Sequence, residues 1–153
     1  MCMARRYDET IEQHKKTVEL DPNFFYLDSW VGIAYREKRM YAESVAEYQN
    51  VQKITGNPIA GLAVTYARIG KTAEAREILR ELQELATRRY LSPEHVATIY
   101  ASFGEKDQAF AWLEKAYEAR SAILSVTFSS AVYDPLRSDP RFTDLLRKMG
   151  LEK

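Results

Sequence analysis

Residues 62–82 read LAVTYARIGKTAEAREILREL, and their spacing decides the fold. The small and large apolar residues around Tyr66 recur at three- and four-residue intervals. A break follows at Gly70, and a second stripe begins. From Thr72 to Arg88 the apolar residues fall at Ala75, Ile78, Leu79, Leu82, Leu85 and Ala86, the stripe of an amphipathic helix. Glu74, Arg76, Glu77, Arg80, Glu81, Glu84 and Arg88 fill the opposite face. The segment is therefore two helices joined by a short turn.

The same unit recurs on either side. Tyr35, Tyr66 and Tyr100 are spaced by 31 and then 34 residues. Nine residues after each stands a small or short side chain, Ser44, Ala75 or Ala109. Large apolar residues follow at Tyr48, Leu79 and Leu113, and Val51, Leu82 and Ala116 complete the stripe. Four residues after each tyrosine the helix is expected to break, at Arg39, Gly70 and Gly104; glycine ends a helix at little cost because it accepts a left-handed backbone. Asn57-Pro58, Ser92-Pro93 and Asp139-Pro140 each set a capping side chain before a proline, which predicts a helix start at each. Nothing alternates with period two for long. Leu124–Val126–Phe128 is the nearest case, and the serine-rich run 121–133 reads as either a helix or a long loop.

The repeated motif resembles the tetratricopeptide repeat, a 34-residue helix-turn-helix unit with the signature W-x2-L-G-x2-Y…A-x3-F…P. Val31-Gly32-x2-Tyr35…Ser44-x3-Tyr48, Leu62-Ala63-x2-Tyr66…Ala75-x3-Leu79 and Val96-Ala97-x2-Tyr100…Ala109-x3-Leu113 carry the resemblance. Residues 7–23 look like the second helix of an earlier unit, departing from the pattern at Thr10, His14 and Thr17. The resemblance implies an all-α fold, a right-handed superhelix with a C-terminal capping helix. The expected division is a solenoid over 4–120, made of a half repeat 4–23 and repeats 25–55, 56–89 and 90–119, then a cap over 121–153. Phe142, Leu145, Leu146 and Met149 form the apolar stripe of that cap, which a solenoid needs to cover its open end. The tail from Asp134-Pro135-Leu136 through Asp139-Pro140-Arg141-Phe142 also resembles the ending of such regions in bacterial signalling proteins.

The small residues Gly32, Ala63, Ala75, Ala97 and Ala109 are expected to let helices approach, with Tyr35, Tyr66 and Tyr100 filling the space beside them. In this family the first helices line a concave groove. Its positions map onto Tyr26, Ser29, Ile33, Arg36 and Glu37 in one unit. They map onto Ala60, Val64, Ala67 and Arg68 in the next, and onto Glu94, Thr98, Ala101 and Ser102 in the third. Arg36 and Arg68 are its cations, able to grip a carboxylate or phosphate or else to pair with Glu37 and Glu94. The clamp by which some relatives grip chaperone tails is absent, since Ser29, Ile33 and Ala60 stand at its positions.

Composition excludes other classes. Lys plus Arg is 22 and Asp plus Glu is 22 in 153 residues, so no charge excess marks a nucleic-acid surface or an acidic tail. The lone Cys2 cannot make an internal disulfide, and no apolar run reaches the length of a membrane span. The cytoplasm is the expected location. His14 sits where the repeat packs an aromatic, and His95 is expected in an exposed first helical turn. No HExxH, Cys/His cluster or phosphate loop is present, and Gly104-Glu105-Lys106 lacks the second glycine and preceding strand. The expectation is a non-catalytic scaffold without cofactor or metal, binding a protein or peptide but neither nucleic acid nor membrane. Its alternative is a regulatory module belonging to a larger signalling protein. With no helix before it, the face carrying Tyr7, Ile11 and Val18 is expected to be bare, which implies either homo-oligomer formation through the N-terminal helix, residues 4–20, or a missing upstream segment.

Overall fold

The computed structural model describes residues 6–22, 30–121 and 124–151, and these are helical with no strand among them. The chain forms two compact units that divide between Ile78 and Leu79.

In the first unit α1 (Tyr7–Leu20) packs on α2 (Trp30–Glu37), α2 on α3 (Tyr41–Thr55), and α3 on α4 (Ala60–Arg68). The helix α5 (Thr72–Ala86) contains the division between the units. In the second unit α6 (Pro93–Ser102) packs on α7 (Lys106–Glu118). A short helix α8 (Leu124–Thr127) and a 3-10 turn (Ala131–Leu136) lead to α9 (Pro140–Lys148). The 3-10 turn lies against α6, and α9 lies against α7.

One kind of turn joins α2 to α3, α4 to α5 and α6 to α7. The backbone N–H of Met40, Lys71 and Glu105 donates to the carbonyl of Tyr35, Tyr66 and Tyr100, at 2.8, 2.9 and 3.1 Å. The residue before each donor is left-handed: Arg39 at φ 62°, Gly70 at 82° and Gly104 at 74°. The next helix then starts alike, with Ser44, Ala75 and Ala109 donating N–H to Met40, Lys71 and Glu105. Arg39 is the exception in chemistry, because a side chain in this conformation costs about 1–2 kcal/mol. Arg39→Gly should therefore raise stability by about 0.5–1 kcal/mol after the entropy of the freer unfolded chain is subtracted. Gly70→Ala should lower it, and urea melts of the two variants read opposite shifts of the midpoint.

A further contact recurs at the 34-residue period. Gln49 Nε2 donates to Tyr66 Oη at 3.2 Å in the first unit, and Gln83 Nε2 donates to Tyr100 Oη at 3.2 Å in the second. The tyrosine rings are thus fixed at their polar tips while their bodies pack.

Packing in the first unit centres on Tyr48. Its buried ring faces Gly32 on α2 and Gly61 on α4, so both glycines serve close approach rather than a turn. Beside it, Ser44 Oγ donates to Gly32 O at 2.8 Å, and Thr65 Oγ1 donates to Gly61 O at 2.9 Å. The two hydroxyl oxygens lie 3.1 Å apart. Ser44 thus ties α3 to α2, and its contact with Thr65 brings in α4, one hydroxyl donating to the other in place of its own carbonyl. Tyr35, half-buried, has its phenol pushed above its ordinary pKa by burial, with Glu47 and Glu43 adding to the shift.

Ile11 corrects an expectation. It is buried, in one cluster with Val31 and Ala34 of α2, and Tyr7 packs against that cluster. Ile11 and Tyr7 of the α1 face thus find cover on the following helix. Val18 is half-buried, and Leu20 at the helix end is exposed.

The proline-linked starts divide. Asp139 caps α9, its carboxylate accepting from Arg141 N at 3.0 Å, with Pro140 in the first turn. Ser92 stands at the N-cap of α6, before Pro93, without a side-chain cap bond. Asn57-Pro58 does not start a helix: α4 begins at Ala60 with Ile59 at the N-cap. The reason is local. Gly56 ends α3 at φ 68°, Asn57 N–H turns back to Thr55 Oγ1 at 3.3 Å, and the chain runs on to Ile59 in extended conformation.

The Asp139 carboxyl is held at about 2, chiefly by the Arg141 side chain, and also by the Arg141 backbone N–H. An unfolded aspartate titrates near 3.9. The group therefore contributes stability above pH ~4, and that contribution is lost as the pH falls through 2. The Asp139 side-chain carboxyl signal in an NMR titration should show its midpoint near 2, and Asp139→Asn should remove that step from the acid stability curve.

Among the described residues of the run 121–133, Leu124–Thr127 form a four-residue helix and a 3-10 turn starts at Ala131, so most of the stretch Leu124–Val126–Phe128 is helical rather than extended. Ser130 caps the 3-10 turn by accepting from Val132 N. Phe142 and Leu145 are buried and Leu146 and Met149 half-buried, as the apolar stripe predicts.

Candidate functional site

Tyr26 and Ser29, two of the expected groove residues, lie outside the described residues. Ile33, Ala60, Ala67, Thr98 and Ser102 are half-buried. Arg36, Val64, Glu94 and Ala101 are buried, which corrects the expectation that they line an open surface. Their burial has identifiable partners in two cases.

In the first unit Arg36 is 2% exposed, and its Nε donates to Glu37 Oε1 at 3.2 Å. Arg68, on α4, forks onto the same carboxylate: Nη1 donates to Oε2 at 3.2 Å and Nη2 lies 3.1 Å from Oε1. Both groove cations therefore converge on Glu37.

In the second unit Glu94 is 1% exposed, and its Oε1 accepts from Ser121 Oγ at 2.6 Å. Its Oε2 is buried and has no partner among the described residues. One turn along α6, Thr98 Oγ1 lies 2.7 Å from Tyr133 Oη in the 3-10 turn. Burial drives the Tyr133 phenol far above its ordinary value; the Thr98 hydrogen bond opposes this and the Glu94 charge adds to it. The α6 face is thus engaged by the chain's own residues 121 and 133.

The packing residues behave as their size suggests. Ala63, Ala75, Ala97 and Ala109 have no exposed surface, Gly32 is buried, and Tyr35, Tyr66 and Tyr100 are half-buried beside them.

The second unit repeats the turn and small-residue pattern over one whole helix pair, and that pair is where a family is legible. Residues 95–122 match the tetratricopeptide repeat. The match runs from the first turn of α6 past the end of α7. It supports a tetratricopeptide-repeat family for the chain, and with it a module for protein–protein interaction. No curated protein and no solved structure matches the chain.

The two histidines have separate surroundings. His14 Nε2 lies 3.6 Å from Glu47 Oε2, both side chains 13% exposed, and its buried Nδ1 has no partner among the described residues. His95 is half-buried rather than exposed. Among the described residues no three His, Cys, Asp or Glu side chains gather as a metal site would need. Among them also, no helix is long and apolar enough to cross a membrane.

A charged groove of about 530 Å³ lies between α7 and α9, lined in part by Asp107, Glu114, Arg141 and Lys148. Its charges are matched across it: Arg141 Nη1 to Asp107 at 2.7 Å, and Lys148 Nζ to Glu114 at 3.0 Å. Arg141 also lies over the Phe110 ring, 4.4 Å from its centroid. These pairs zip α9 to α7 and raise the Arg141 and Lys148 pKa values, in each case mainly through the hydrogen-bonded carboxylates. Exposed pairs of this type contribute little stability.

Sequence reading missed Gly61, Thr65, Ser121 and Tyr133 as partners. Gly61 and Thr65 carry a signal in hindsight, being small and polar residues within an apolar helix face. Ser121 and Tyr133 carry none, because each meets α6 from a segment with no helical period.

Proposed function

We propose that the chain is a non-catalytic protein-interaction module, and that the α2–α4 face of its first unit receives an extended segment of a partner protein. In this reading its residues 4–120 are a half repeat (4–23) and three repeats (25–55, 56–89, 90–119), and 121–153 form the end cap. The repeated left-handed turn supports it, because the same backbone bonds join α2 to α3, α4 to α5 and α6 to α7, the last being the pair that matches the tetratricopeptide repeat. Between Arg68 and the half-buried Ile33 and Ala67, this face offers charged, apolar and small surface together. Such a mixture suits a peptide better than a small reactive substrate. No charge excess favours nucleic acid as the ligand.

Site-specific photo-crosslinking tests this reading. A benzophenone amino acid is placed at Ala67, on the α4 inner position, or at Arg76, on the charged face of α5. The expected result is one dominant protein adduct from position 67, reproduced with the purified partner, and none from position 76. Equal labelling from both positions, or no adduct from either, would overturn it.

A further inference from the structure

The Arg36–Glu37–Arg68 cluster has more positive charge than it can satisfy internally. Two guanidinium groups converge on one carboxylate, leaving an excess of one positive charge. Glu37 is 9% exposed at its side chain and Arg36 only 2%, so the charges are poorly solvated and their interactions weakly screened. The three contacts of 3.1–3.2 Å are longer than the 2.7–2.9 Å of a tight charge-assisted bond, as expected when one carboxylate is shared. Arg36 donates to Glu37 through Nε. Arg68, with 29% of its side chain exposed, forms the open edge of the cluster.

We propose that this cluster is a carboxylate site for an acidic side chain of the bound partner segment, and that Glu37 is its internal occupant. The inference rests on the proposed peptide-binding role and names the chemistry recognised there. A partner glutamate or aspartate takes the Arg68 fork, and Glu37 retains Arg36. Each guanidinium then has its own carboxylate, and the excess charge is neutralised. The exchange replaces one ion pair by another, so the free chain holds its arginines ordered for binding without leaving them bare. A purely structural cluster differs in one respect: its Glu37 would organise the arginines and would not compete with a ligand.

The test is an NMR titration of the full chain with blocked tetraglutamate peptide, following the arginine Nε–Hε signals. Tetraglutamine and inorganic phosphate serve as the other arms, and circular dichroism checks that each variant keeps its helix content. Tetraglutamate is expected to shift the Arg36 and Arg68 signals saturably and tetraglutamine to leave them in place. Arg68→Gln should weaken binding at least tenfold, Arg68→Lys should restore it only in part, and Glu37→Gln should tighten it threefold or more. Unchanged or weaker binding in Glu37→Gln overturns the proposal, as do equal shifts at every exposed arginine. A response to phosphate without one to tetraglutamate also overturns it. If the position-67 adduct survives undiminished in Arg68→Gln, the carboxylate site is lost but peptide binding stands; if wild type gives no adduct, the peptide-binding reading itself fails.

Discussion

Gly61→Ala should destabilise the first unit by about 1–3 kcal/mol, although alanine is the better helix former by about 1 kcal/mol. A methyl group at residue 61 would overlap Cζ and Cε1 of Tyr48 and come within 2.6 Å of its Oη. Gly32 presses on the opposite helix in the same way, its added carbon falling 2.6 Å from Tyr48 Cζ. The ring cannot swing clear, because it is 2% exposed and has a backbone-close helix on two sides. Relief requires α4 or α2 to move, which would also stretch the Ser44–Thr65 contact and its bonds to Gly32 and Gly61. The equivalent positions in the other helix pairs are Leu79 and Leu113, which are flexible enough to yield. Tyr48→Leu should therefore rescue Gly61→Ala. In a urea-denaturation cycle the double variant should be more stable than the sum of the two single losses by 1 kcal/mol or more. Additive losses would show that Tyr48 is not the obstacle.

The same site shows where sequence and structure part. Tyr48, Gly32 and Ser44 stand at signature positions, so their roles as filler, gap and short side chain were legible. Gly61 stands two residues before the signature position and takes its role from a tyrosine one helix back. Periodicity names the buried face of a helix but not which side chain on a neighbour meets it. The turns were legible for the opposite reason: they depend on consecutive backbone atoms, and Arg39, Gly70 and Gly104 are left-handed where the spacing places a break. Four of the residues expected on an open groove, Arg36, Val64, Glu94 and Ala101, are buried, which spacing alone does not reveal. Arg36 and Arg68 were recognised as a pair of cations, yet their common partner Glu37 follows from how α2 and α4 approach. Glu94 was assigned to the same surface, but Ser121, 27 residues later, reaches its carboxylate. The capping signal at Asn57-Pro58 failed because a local signal at Gly56 prevailed over it. A left-handed residue closed α3 first, and the extended residues that followed moved the next helix start to Ala60.

Phe142→Ala should have the largest effect in the second unit, about 3–5 kcal/mol. Phe142 is 2% exposed, on the first turn of α9, and meets Phe128 edge to face at 5.1 Å between centroids. Phe128 in turn meets Tyr133 edge to face at 6.1 Å. The Arg137 guanidinium lies 5.4 Å from the Phe142 centroid, held there by Asp134 and by the Phe128 carbonyl, to which its Nη2 donates at 2.8 Å. One ring therefore organises the whole segment 128–142, a stretch with little regular hydrogen bonding of its own. Removing it leaves a cavity that α9 cannot close by sliding, since Leu145 is already fully buried and the Arg141 and Lys148 pairs set its register on α7. Loss of the segment also uncovers Thr98 and the buried Glu94 on α6. Urea denaturation should show the loss of stability, and hydrogen exchange should show faster exchange at the amides of α6 as well as α9. If only α9 lost protection, the aromatic cluster would be a local clasp, and α6 would hold its fold without the tail.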